Sequence, residues 1–148
     1  MSKKLDIVVQ SLEEYYKDPA HELEVQQILE RKDVVTQRML DHLVFHYARQ
    51  HPCEYGQFNI QRSLDTLLKT VQRKHFDPFR RRPKQGVEIA VGRALRSTVA
   101  QLLFFKWVQQ NGVLEFARQH ADEIRDSMRL RTRKRKLSPS TPTEDAPV

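Results

Sequence analysis

Between Leu5 and Met128 the apolar residues return every three or four positions, and beyond Met128 they stop returning. That spacing is one face of an α-helix used several times over, and the place where it fails is where packing has to end. Leu5, Val8, Val9, Leu12, Tyr15 and Tyr16 predict a first helix over 5–16, stopped by Asp18-Pro19. A second, from His21 to Arg31, turns Leu23, Ile28 and Leu29 inward and acidic residues outward. Asp33 or Thr36 caps a third that runs to Gln50 with Val35, Met39, Leu40, Leu43, Val44 and Tyr47 as its stripe. After a loop over Cys53–Phe58, Asn59 caps a fourth carrying Ile60, Leu64, Leu67, Leu68 and Val71.

Ser97 or Thr98 caps a fifth helix with Val99, Leu102, Leu103, Phe105 and Trp107, closed by Asn111-Gly112. A sixth starts near Val113 and carries Leu114, Ala117, Ala121, Ile124 and Met128. Between the fourth and the fifth, Pro78 and Pro83 forbid regular helix. Val87, Ile89 and Val91 then alternate into Gly92, which reads as a short hairpin returning over Ala94–Ser97, or as the opening of the next helix. A chain of 148 residues, 39% hydrophobic, supports one core of this kind. The expected fold is mostly α: a single compact domain of about six helices over 1–128, with room for one short β-hairpin. A disordered basic tail follows over 129–148, its end (Ser138–Val148) rich in proline, serine and threonine.

Charge divides the chain. Met1–Gln72 holds 9 Lys/Arg against 11 Asp/Glu, and Arg73–Val148 holds 17 against 8. Clustered cations gain affinity for polyanions by releasing condensed counterions, so the second half calls for a partner such as nucleic acid. Two segments concentrate the charge. The connector over 73–86 sets Arg73, Lys74, Arg80, Arg81, Arg82 and Lys84 among His75, Phe76 and Phe79. Its arginine forks suit phosphates, while its phenylalanines read first as plugs that anchor the loop, with Asp77 capping a turn at Pro78. The tail segment Arg129, Arg131, Arg133, Lys134, Arg135 and Lys136 places six cations in eight residues, enough for a phosphate-tracking arm or for a nuclear import receptor. Ser138-Pro139 and Thr141-Pro142 follow at once, and phosphorylation there would set negative charge beside those cations.

Other chemistry is poorly served. Cys53 is the one cysteine, so no intrachain disulfide exists, and no apolar run is long enough for a signal peptide or a membrane span. His42 and His46 stand four apart but lack the glutamate of a His-Glu-x-x-His site and a third ligand. His51 and Cys53 flank Pro52 too closely to suggest a catalytic dyad, and four glycines give no phosphate-cradling loop. Trp107, Phe104 and Phe105 read as core. No catalytic constellation, metal or cofactor is expected.

Three blocks resemble a family of small uncharacterised proteins of nucleocytoplasmic large DNA viruses, the giant viruses. They are Thr36 to Ala48 (Thr-Gln-Arg-Met-Leu-Asp-His-Leu-Val-Phe-His-Tyr-Ala), Phe58-Asn59 leading to Lys74-His75-Phe76-Asp77-Pro78-Phe79-Arg80-Arg81, and Ser97 to Trp107. The specific parts are Lys-x-Phe-Asp-Pro-Phe-x-Arg and Thr-Val-x-Gln-Leu-x-Phe-Phe-x-Trp. The chain departs from the family pattern in carrying Arg80 where a cysteine often stands and Ala100 where a glycine often stands. The resemblance implies a viral origin and a shared fold, with no mechanism attached. The expected function is therefore non-enzymatic association with nucleic acid, DNA ahead of RNA, in the host nucleus or cytoplasm or in the virion. The rival expectation is a structural or adaptor protein whose basic segments meet acidic surfaces of virion proteins.

Overall fold

The computed structural model describes residues 3–55, 57–79 and 88–137. Its order is α1 (Lys3–Tyr15), α2 (Pro19–Leu29), α3 (Gln37–His42), a π-helical turn (Leu43–Tyr47), α4 (Ala48–Gln50), β1 (Glu54–Tyr55), β2 (Phe58–Asn59), α5 (Ile60–Leu67), a 3-10 turn (Arg73–His75), β3 (Glu88–Val91), β4 (Leu95–Thr98), α6 (Val99–Gln110), α7 (Val113–Gln119) and α8 (Ala121–Leu137). The fold is mostly helical, as the spacing of apolar residues requires. Both strand pairs are small antiparallel ladders, β1 with β2 and β3 with β4.

Helix starts lie where short polar side chains can take orphan backbone N–H groups. Asp18 accepts from Ala20, Thr36 from Met39, Asn59 from Arg62 and Thr98 from Gln101. At the Asn111-Gly112 stop, Gly112 sits at φ +71°, a left-handed conformation that ends α6 and lets α7 begin at the next residue.

α6 is the hub. Ala100, Leu102, Phe104, Phe105 and Val108 are all buried, and the helix packs against α1, α7, β4 and the 3-10 turn. α3 and the π-turn pack against α8, and α4 against α5. Arg118 fastens α7 to the N-terminal third through Glu24 at 3.2 Å and Asp33 at 2.8 Å.

Four sequence expectations need correction. Leu23 faces solvent, 54% exposed, while Glu22 takes the inward position at 5%. The cause is polar: the Glu22 carboxylate accepts the backbone N–H groups of Arg93 (2.9 Å) and Ala94 (2.7 Å) in the β3–β4 turn. The third helix is interrupted, because the Ala48 N–H reaches back to the Leu43 carbonyl, five residues away. That extra residue in the turn widens the buried arc to include Leu43, Val44, Phe45, Tyr47 and Ala48 together. The sixth helix is two helices, broken at His120, whose ring stacks on Phe116 and bonds its carbonyl at 3.0 Å. Finally, the Cys53–Phe58 loop carries the β1–β2 ladder.

The basic segment after Met128 also departs from the expected disorder: it is helical to Leu137. Met128 packs against the core, and residues 129–135 are exposed. Arginine and lysine are good helix formers, and cations suit the C-terminal end of the helix dipole, so propensity extends the helix where packing has ceased.

Candidate nucleic-acid interface

The candidate interface runs outward from the point where the connector begins. Phe76 is buried in an aromatic cluster, its centroid 5.1 Å from Phe104, 5.5 Å from Trp107 and 6.3 Å from Phe45. The next residue, Asp77, donates its backbone N–H to Ala100 at 3.3 Å and accepts the Phe79 N–H at 2.9 Å through its side chain. Two amides then hold the Pro78 carbonyl: Gln101 from α6 at 2.8 Å and Gln37 from α3 at 3.0 Å. Gln101 is itself buried and accepts from the Ser97 hydroxyl. Phe76-Asp77-Pro78 and the Ser97–Trp107 segment are thus two halves of one junction. Phe76 is a plug, as its neighbours in sequence implied, and Phe79 is half-buried beside it.

Of the connector cations, Arg80, Arg81, Arg82 and Lys84 lie outside the described residues, and Lys74 belongs to the 3-10 turn. Arg73 is engaged within the protein. Its guanidinium lies 3.5 Å over the Phe45 ring, donates to the Phe76 carbonyl at 3.1 Å and sits 3.6 Å from Asp41. A cation so held fixes the connector to the π-turn and still leaves part of its charge toward solvent.

α8 packs against α3 and the π-turn, the same elements that Arg73 touches. α8 is fastened near its middle by His42 Nε2 against Ser127 Oγ at 2.8 Å and by Arg125 donating to the Val34 carbonyl at 2.8 Å. Arg129 pairs with Asp126. Arg131, Arg133, Lys134 and Arg135 are exposed with no ion pair among the described residues, and Lys136 occupies the last turn. Ser138 and Thr141 lie outside the described residues.

His46 registers how these cations converge. Its pKa is lowered, first by burial and then by Arg131, with Arg49 and Arg73 adding and Asp41 opposing. Arg131 from α8, Arg49 from α4 and Arg73 from the connector thus all disfavour a charged His46. Sequence reading missed Arg49, an isolated arginine in the acidic half; only the packing of α8 on the π-turn gives it neighbours of like charge. His42 is pushed down to about 4, by burial first, then by His46 and Arg131.

The Cys53 thiol is buried and pushed up to about 11, by burial and then by Glu123, so it is a poor nucleophile at neutral pH. No group of three metal-ligating side chains occurs among the described residues, and none of the described helices is long and apolar enough to cross a membrane.

A family described as "Family of unknown function (DUF7197)" matches residues 1–144. The chain belongs to that family. It is also similar to "Uncharacterized protein L507" of Acanthamoeba polyphaga mimivirus, 22% identical over 147 residues, which is 90% of this chain. The chain spans 57% of that protein's length. No solved structure matches.

Proposed function

We propose that this member of the DUF7197 family is a non-enzymatic nucleic-acid-associated protein of a large DNA virus. It holds phosphate backbone through the connector over 73–86 and the cationic end of α8. The observation that carries the reading is the end of α8, where Arg131, Arg133, Lys134 and Arg135 stand exposed with no ion pair among the described residues. Like charges gathered along one helix are self-repulsive in the free protein, and a polyanion relieves that repulsion. The similarity to a mimivirus protein supports the viral part of the proposal. Sequence preference is expected to be slight, because the cations available here address phosphates.

Filter binding to duplex DNA, single-stranded DNA and RNA over a salt series tests this. If about six cations neutralise phosphates on duplex DNA, log affinity falls with log salt at a slope of about −5. Replacing Arg80, Arg81 and Arg82 by alanine flattens the slope by up to about three contacts, and ending the chain at Met128 removes most of the rest. Absence of binding to every nucleic acid at about 50 mM salt, where such contacts are strong, overturns the reading and favours an adaptor for acidic protein surfaces.

A further inference from the structure

We propose that the end of α8 is a major-groove helix: it enters duplex DNA as a rigid continuation of a core helix. This inference rests on the nucleic-acid reading above and narrows it to one substrate class. α8 is fastened to α3 and the loop before it by His42–Ser127 and Arg125–Val34, and its last core residue is Met128. From there it runs on to Leu137, so at about 1.5 Å per residue it projects about 13 Å.

The distribution of charge around that projection decides between binding modes. At about 100° per residue, Arg129 and Arg133 fall on one side, and Arg131, Lys134 and Arg135 fall on the other. A helix lying on a flat anionic surface uses one side and leaves the opposite cations without partners. A helix in the major groove of B-form DNA has a phosphate wall on both sides, and the groove, about 12 Å wide, admits it. Two-sided charge is what that geometry needs. Leu130 lies between the two cationic sides on one face, where a helix in the groove faces base edges, and Thr132 lies on the opposite face, turned away from them.

The alternatives fit the same residues less well. Binding of single strands draws on aromatic side chains that stack with bases, and α8 has none from Ala121 to Leu137. A-form RNA has a major groove too deep and narrow for a helix. Membrane insertion needs an apolar face, and Leu130 is the only apolar residue from Arg129 to Lys136.

Thr132→Pro in the full chain separates helix from charge, since it alters no cation and lies beyond the packed residues. Proline removes the backbone N–H of residue 132 and crowds the carbonyl of Met128, so the projecting helix breaks. Affinities are measured by fluorescence anisotropy for duplex DNA, single-stranded DNA of the same sequence and duplex RNA. The intact protein should bind duplex DNA about tenfold tighter than either other ligand, and Thr132→Pro should lose about tenfold on duplex DNA alone. Thr132→Ala should bind as the intact protein does. Circular dichroism should show the helix content of the intact protein unchanged when duplex DNA is added, and a lower helix content in the proline variant with or without DNA. An unchanged thermal midpoint confirms that the core tolerates proline. If the proline variant binds duplex DNA normally, or duplex RNA binds equally well, the arm is a flexible polycation and the inference falls while the nucleic-acid reading stands. If nothing binds, both fall.

Discussion

At the scale of single residues, the polar side chains that matter most are the buried ones. Gln101 donates to the Pro78 carbonyl and accepts from Ser97, so Gln101→Ala leaves the buried Ser97 hydroxyl without its acceptor and the Pro78 carbonyl with Gln37 alone. A loss of about 1–3 kcal/mol is expected, read as a lower urea midpoint with an unchanged slope. His42 makes a second residue-scale prediction. Its folded-state pKa of about 4 lies below the ordinary value, so between the two the unfolded chain holds the extra proton. Stability from this group is fully present above about pH 6.5 and is lost as pH falls toward 4. Urea midpoints at pH 7 and at pH 4.5 should therefore differ less in His42→Gln than in the unaltered chain. An equal difference would mean that carboxylates alone set the acid sensitivity.

At the scale of elements, what sequence could show was whatever is decided locally. Thr36, Asn59 and Thr98 cap helices because a short polar side chain answers its own backbone, and the Asn111-Gly112 stop works for a similar local reason. The break at His120 has no such mark, since Val113, Ala117, Ala121, Ile124 and Met128 keep an unbroken helical rhythm across it. The π-turn, the inward Glu22 and the grouping of Arg49 with Arg73 and Arg131 depend on distant partners, and they were invisible for that reason. Of the candidate site, the cationic segments were legible as charge runs. That one of them stands as helix was not, because its apolar spacing stops while its helix propensity continues. The β3–β4 turn gives the prediction proper to this scale. Gly92 sits at φ +59°, and a Cβ there would overlap the Glu22 carboxylate. Gly92→Ala must strain the backbone and displace the carboxylate that holds the turn, at a cost of about 2 kcal/mol or more by thermal denaturation. Glu22→Ala should weaken the same turn without the backbone strain.

At the scale of the whole molecule, stability and binding are separable, because the packed residues end at Met128 while the cations continue. A chain stopped at Met128 should keep its stability within about 0.5 kcal/mol, as exposed positions usually do. A larger loss would mean that the arm folds back to support the core. The bonds that close the core join distant parts of the sequence: Tyr16 to Gln109, Glu24 and Asp33 to Arg118. During synthesis, then, α1 and α2 leave the ribosome about eighty to ninety residues before the helices that complete them, a wait of several seconds or more at about 5–20 residues per second. Through that interval Leu12, Tyr16, Val25 and Ile28, all buried in the finished protein, have no α6 or α7 to cover them. The N-terminal third is thus the part of the newborn chain with most need of a chaperone, and the cationic arm is made only after the core sequence is complete.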